Sequence, residues 1–241
     1  MPAGNLTGII LKNPLQNPGY TGGEVKAMSD VREAASRYQT TKPLPAGRIT
    51  FEEFLAWCDE DTRAEWVDGE VIILTPAASK HQKIIMLLSS LLREFALLKN
   101  LGEILTAPFL VRLPGTLRRG REPDILFVSN EKLPFLKETY MDGAPDLIVE
   151  VTSPESLVRD REEKYVEYEA SGVREYWLID PDRQQAEFFR LGENGRYRTI
   201  WPDQNGIYHS EVLPGFWLKV DWLWQDPLPS AIACFKEMGL I

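Results

Sequence analysis

Two acidic side chains sit where an acid is costly. In Asp146-Leu147-Ile148-Val149-Glu150-Val151-Thr152, strand alternation puts Glu150 on the face shared by Ile148 and Thr152. An ionised carboxylate inside an apolar strand needs a compensating charge. Asp124 comes directly after Pro123 and opens the β-prone run Ile125-Leu126-Phe127-Val128. Carboxylates on neighbouring strands can converge on a hard divalent cation, which takes oxygen ligands. A competing reading pairs Glu150 with an arginine and leaves Asp124 as an ordinary strand-start residue. The residue types alone leave both open.

The residues after Glu150 bear on the choice. Glu150-Val151-Thr152-Ser153-Pro154 leads into a segment carrying Arg159, Asp160, Arg161 and Lys164. Arg161, Lys164 and Tyr168 succeed one another at i+3 and i+4 steps, so an α-helix puts them on one face. If that face overlooks the strand end, Lys164 can point at the acidic pair. An ammonium there suits phosphate-ester hydrolysis: it can orient or help ionise a water and offset charge on a phosphorane-like transition state. The plainer alternative is a solvated lysine among Glu162, Glu163 and Glu167. Arg112, Arg118, Arg119 and Arg121 surround Pro114-Gly115 just before Asp124, a grouping that can grip phosphates or merely keep a loop hydrated. Arg159 and Arg161 can extend it.

The elements that must position these groups can be read from periodicity and turn chemistry. Thr50-Phe51-Glu52-Glu53 is a capping-box pattern opening a short helix through Trp57. Glu65-Trp66-Val67, Asp68-Gly69 and Glu70 to Leu74 read as a β-hairpin, since Asp-Gly suits a tight turn. Ser79 to Asn100 reads as a long helix with Ile84, Leu87, Leu88, Leu91, Leu92, Phe95 and Leu98 on its apolar face. Strands are expected over Ile104 to Leu113, Ile125 to Val128, Leu147 to Val151 and Tyr176 to Ile179. A helix over Ser156 to Ser171 stops at Gly172. Short β segments from Ala186 to Val220 precede a final helix over Pro229 to Met238. Trp201, Trp217, Trp222 and Trp224 lack interleaved basic residues and read as core or subunit interface. His209 receives no role. The order predicts an α/β (α+β) fold, a mixed β-sheet flanked by helices with additional C-terminal strands. Residues 1–47, rich in Pro and Gly, read as an N-terminal extension with one short helix over Glu24 to Tyr38, ahead of a domain over 48–241.

Composition narrows the function classes. The 241 residues hold 27 Lys+Arg against 36 Asp+Glu, a formal net charge of −9, which argues against broad electrostatic adhesion to nucleic acid or anionic membrane. A local basic groove stays compatible with it. Apolar runs such as Ile84 to Leu88 fall far short of the roughly 20 residues a membrane helix needs. No basic segment with a sustained apolar stretch opens the chain. Cys58 and Cys234 stand alone, so a reducing cytoplasm is the expected setting, without disulfides or thiolate zinc.

The ordered set Pro123-Asp124, Glu150-Val151-x-Ser153-Pro154, Lys164 and Gly172-Val173-Arg174-Glu175-Tyr176-Trp177-Leu178-Ile179-Asp180-Pro181 resembles the PD-(D/E)xK nuclease superfamily. More narrowly it resembles the Uma-type restriction-endonuclease family, once catalogued as a domain of unknown function. The Glu65-x-x-Asp68-Gly69-Glu70 hairpin and His81 also fit, and the resemblance spans about Thr50 to Val220. It implies a restriction-endonuclease-like core, Asp124 and Glu150 as ligands of Mg2+ (Mn2+ as the alternative ion), and a homodimer. The superfamily places its lysine two residues after the second carboxylate, where this chain has Thr152. Similarity to the narrower family makes Lys164 the replacement. Glu65 is then an additional acidic ligand or an exposed hairpin residue, and His81 a neutral imidazole donating to a carboxylate or a surface histidine. Three functions are compatible with these residues: a Mg2+-dependent DNA nuclease, a non-catalytic nuclease-fold module that binds nucleic acid or protein, and a metal-dependent nucleotide phosphohydrolase.

Overall fold

Alternation along the apolar strands decides how the chain layers. The computed structural model describes residues 42–59, 62–115, 117–154 and 156–241, and Pro43–Ile241 forms one compact unit. The helix expected over Glu24 to Tyr38 lies outside the described residues. The first elements are α1 (Phe51–Trp57), β1 (Ala64–Val67), β2 (Glu70–Ile73), α2 (Ser79–Lys99) and β3 (Gly102–Thr106). Then come β4 (Leu110–Arg112), β5 (Arg119–Arg121), β6 (Ile125–Ser129), β7 (Tyr140–Asp142) and β8 (Leu147–Val151). A π-helical segment Arg159–Lys164 runs into α3 (Tyr165–Ser171). The chain closes with β9 (Glu175–Asp180), β10 (Gln185–Leu191), β11 (Tyr197–Thr199), β12 (Ile207–His209), β13 (Trp217–Lys219) and α4 (Ala231–Glu237).

The strands form two larger sheets and a hairpin. The central sheet has the order β11-β10-β9-β8-β6-β3, and the second sheet β2-β1-β5-β4-β7, while β12 pairs with β13. Within the central sheet only β8 and β9 run parallel. A parallel pair needs a crossover, and the segment containing α3 supplies it. One face of the central sheet (Ile125, Phe127, Leu147, Val149, Val151, Trp177, Ile179) packs on Ile84, Leu88, Leu91, Leu92 and Phe95 of α2 and on C-terminal residues including Phe216 and Trp222. The opposite face (Leu126, Val128, Ile148, Tyr176, Leu178) packs on Tyr168 of α3 and on Val111 and Met141 of the second sheet. α1 covers that sheet through Phe51 and Phe54 against Ala64, Trp66 and Leu110.

Local chemistry explains most boundaries. The capping box forms: Glu53 N donates to Thr50 Oγ1 (3.1 Å) and Thr50 N to Glu53 Oε2 (2.7 Å). Asp68 and Gly69 turn the β1–β2 hairpin with φ of 51° and 89°, the double left-handed geometry of a type I′ turn. Gly172 ends α3 with φ of 84°.

The expected single strand over Ile104 to Leu113 is instead two, β3 and β4, in different sheets. Between them lies Pro108, which brings no amide hydrogen to either ladder. Trp222 is buried, whereas Trp201 is 74% exposed and belongs to no core. Among the described residues no helix is long and apolar enough to cross a membrane.

Candidate active site

Strand register brings the two carboxylates together. β6 and β8 are antiparallel, with Ile125 opposite Val149 and Leu126 opposite Ile148. One more step sets Asp124 opposite Glu150, and residues directly opposite on such a pair project to the same face. Asp124 is locked in place: its Oδ2 accepts from Val151 N at 2.7 Å and lies 3.2 Å from His81 Nε2. His81 stands in the first turn of α2, the long helix laid across β6 and β8, so it reaches Asp124 rather than solvent. Its side chain is 12% exposed.

The crossover delivers the third group. Lys164 ends the π-helical segment, is 3% exposed, and meets three carboxylates: Glu150 Oε1 at 2.8 Å, Glu65 Oε1 at 3.2 Å and Asp160 Oδ1 at 3.2 Å. Of the three, Glu150 takes a hydrogen bond from the ammonium, while Glu65 and Asp160 pair with it as charges at longer range. Tyr168 OH donates to the same Glu150 Oε1 at 2.8 Å. Tyr176 OH donates to the Asp160 carbonyl at 2.9 Å, fixing the backbone of the π turn. The partner of Glu150 is thus a lysine, not the arginine of the competing sequence reading.

The electrostatics reflect burial and company. Burial pushes the Glu150 carboxyl up to about 8; Lys164 opposes the rise, and Asp160 and Asp124 reinforce it. Glu65 is equally buried, yet Lys164 and Arg121 overcome the burial penalty and bring it down to about 2. For Lys164, burial favours the neutral amine, but Glu150, Glu65 and Asp160 outweigh it and hold the ammonium charged.

Glu65 is fully buried, so the exposed-hairpin reading is wrong. β1 turns it inward, where Oε2 accepts from Arg121 Nη1 at 2.8 Å and Oε1 faces Lys164. Arg121 also corrects an expectation. It is fully buried, and its Nε and Nη2 donate to the two oxygens of Glu167, both at 2.8 Å, so it has no surface for nucleic acid. Arg119 bonds Glu167 and Asp68, and Arg112 bonds Asp142 through two nitrogens and Glu52 through one. Arg161 does not share the Lys164 and Tyr168 contacts; it pairs with Glu187 at 2.5 Å. π-winding breaks the α phase assumed for Arg161, and the neighbour of Lys164 on this segment is Asp160, four residues before it. Arg118 stays exposed, its guanidinium 5.4 Å over the Trp66 ring.

Sequence reasoning gives Asp160 and Tyr168 no role in the site, yet both belong to it. Asp160 stands four residues before Lys164 and Tyr168 four after, a spacing visible in the sequence. The Arg121–Glu65–Glu167 cluster, joined across separations of 46 and 56 residues, leaves no local signal.

The donors suit a hard cation to a limited degree. Every hydrogen bond to Asp124 and Glu150 among the described residues lands on Oδ2 and Oε1, leaving Oδ1 and Oε2 for a ligand. Both oxygens of Glu65 are engaged. Among the described residues no group of three or more His, Cys, Asp or Glu is arranged to hold an ion. Two carboxylates match Mg2+, which keeps several waters and takes one or two protein carboxylates.

A cavity of about 740 Å3 lies elsewhere, between α2 and the C-terminal segment, lined by Lys83, Met86, Leu87, Trp224, Pro227 and others. No residue of the carboxylate cluster lines it.

A mixed sheet with a β8–helix–β9 crossover, helices on its faces and an acidic pair at adjoining strand ends defines a nuclease-like α/β fold. A solved structure from Anabaena variabilis ATCC 29413, described as a putative nuclease belonging to DUF820, shares it with a TM-score of 0.62 and 18% identity over 73% of this chain and 97% of that chain. The chain belongs to the Uma2 family, described as "Putative restriction endonuclease", whose model matches residues 51–221. No curated protein matches the chain in sequence. Family membership implies nucleic acid as the substrate class.

Proposed function

We propose that the chain is a Mg2+-dependent nuclease that hydrolyses phosphodiester bonds in DNA, with Asp124 and Glu150 as the metal ligands and Lys164 as the catalytic cation. The observation that carries this reading is the 2.8 Å approach of the Lys164 ammonium to Glu150, on the strand face that Asp124 shares. The ion, when bound, supplies Lewis-acid stabilisation of charge on the phosphoryl oxygens.

The chain's own groups do the rest. Lys164 is held charged, so it orients a water by donating to it and offsets developing negative charge. Asp160 and Glu65 retain the ammonium when Glu150 turns to other duty. His81 and the Val151 amide fix Asp124 through Oδ2, so its other oxygen keeps one direction. Arg121 acts on Lys164 only through Glu65, as a positioning residue. Of the arginines around the Pro114-Gly115 turn, Arg118 fits the phosphate backbone best because it is exposed and carries no carboxylate partner among the described residues.

A binding module without catalysis is the second reading, favoured by the same contact: Lys164 already occupies the cationic position beside Glu150. Incubation with supercoiled plasmid separates the two. The expected result is nicking that requires Mg2+ or Mn2+ and falls by roughly 100-fold or more in Asp124→Asn and Lys164→Ala. DNA binding without metal-dependent nicking in the wild type defeats the nuclease reading.

A further inference from the structure

We infer that Arg159 is the residue that grips the phosphodiester at this site, its guanidinium taking a nonbridging phosphate oxygen beside Lys164. The inference rests on the nuclease reading above and names how the substrate is held.

Every other arginine around the cluster is committed: Arg63 to Glu122, Arg119 and Arg121 to Glu167, Arg161 to Glu187. Arg159 makes no hydrogen bond or ion pair among the described residues, and its Nε is buried without a partner. A buried donor left unmatched costs free energy that an incoming anion would recover.

Location agrees. Arg159 opens the π-helical segment and precedes Asp160, whose carboxylate lies 3.2 Å from Lys164. π-winding relates residue i to i+5, so Arg159 stands one such step before Lys164 on the site side of the segment. In an α-helix the same residue would be turned away. Its charge is felt there, since it helps keep Glu65 ionised and acts against the charge of Lys164.

Chemistry selects the ligand. Glu65 and Glu167 bond Arg121 and Glu150 bonds Lys164, and no carboxylate among the described residues pairs with Arg159, which leaves its guanidinium for an anion from outside. A planar fork with several N–H groups matches the paired oxygens of a phosphodiester better than an ammonium does.

The test measures binding apart from cleavage. In an Asp124→Asn background, which is expected not to cut, fluorescence anisotropy tracks a labelled DNA duplex over a range of salt. Arg159→Ala is expected to weaken binding about tenfold and to reduce the slope of log K against log salt by about 0.9, one phosphate contact. Arg159→Lys should recover part of the affinity. The thermal midpoint of Arg159→Ala should match the parent protein because no native partner is lost, so a folding defect is told apart. Unchanged affinity and slope in Arg159→Ala overturn the inference, whatever happens to the cleavage rate. A wild-type protein that binds DNA and never cuts it defeats the nuclease reading and leaves the Arg159 measurement intact.

Discussion

At the scale of single residues, the cluster sets two buried glutamates to opposite states. Glu65 is pulled down to about 2 by Lys164 and Arg121 despite burial, whereas burial leaves Glu150 up near 8. The Glu150 shift has a consequence for stability. The unfolded chain releases this proton near the ordinary glutamate value of 4.5, while the folded chain holds it to about 8. Unfolding therefore releases a proton between those values, and stability falls as pH rises through the window. Below 4.5 both states are protonated, and stability no longer varies through this group. Glu150→Gln mimics the protonated form and keeps an acceptor for Lys164 and Tyr168. It should match the wild type in thermal midpoint near pH 4.5 and exceed it by roughly 8–16 °C at pH 8. Calorimetry at the two pH values checks this, and a variant less stable than wild type at pH 8 would mean that Glu150 is ionised in the folded protein. Mg2+ should narrow the difference at pH 8 by favouring the wild-type carboxylate.

At the scale of elements, what was legible from sequence had local causes. The Thr50–Glu53 capping box, the Asp68-Gly69 hairpin, the apolar face of α2 and the Gly172 stop each depend on a few neighbouring residues. The expectation that Asp124 and Glu150 share a neighbourhood rests on strand alternation and family resemblance, and the β6–β8 register accounts for it physically. Two element-level features were not legible. Pro108 divides a continuous β-prone run between two sheets, and only the pairing partners β6 and β7 reveal the division. The π-winding of Arg159–Lys164 cannot be derived from α periodicity, and with it Arg161 faces Glu187 rather than the site. This winding is open to a direct test. Glu162 is exposed and lies inside the π segment, so deleting it should convert the turn to α geometry and leave Asp160 three and Arg159 four residues before Lys164, changing the spacing on which the contact of Asp160 with Lys164 depends. Far-UV circular dichroism should be almost unchanged, while cleavage drops by roughly 100-fold or more. Full activity in the deletion would show that the aim of Asp160 and Arg159 does not depend on the π turn.

At the scale of the whole molecule, an acidic chain has spent most of its arginines on internal carboxylates, and Arg121 is the extreme case. From β5 in the second sheet it reaches Glu65 in β1 and Glu167 in α3, and Glu65 continues to Lys164 and so to Glu150 of the central sheet. One buried chain of charges thus ties both sheets and the crossover helix together at the site. Breaking a buried ion pair from one side is strongly destabilising because the remaining charge loses its compensation. In Arg121→Met, Glu167 keeps Arg119 and Glu65 keeps Lys164, so the loss should fall near the low end of such cases, about 3 kcal/mol, or roughly 6–12 °C in thermal midpoint. The pH dependence tells this electrostatic loss from simple packing damage. The contribution of Glu65 is present above its unfolded value of 4.5 and disappears as pH falls towards about 2. The gap between wild type and Arg121→Met should accordingly be widest near pH 7 and shrink near pH 3, where an uncompensated Glu65 takes up a proton. Equal gaps at both pH values would assign the loss to the missing guanidinium volume and remove Arg121 from the set of residues that hold Lys164 in place.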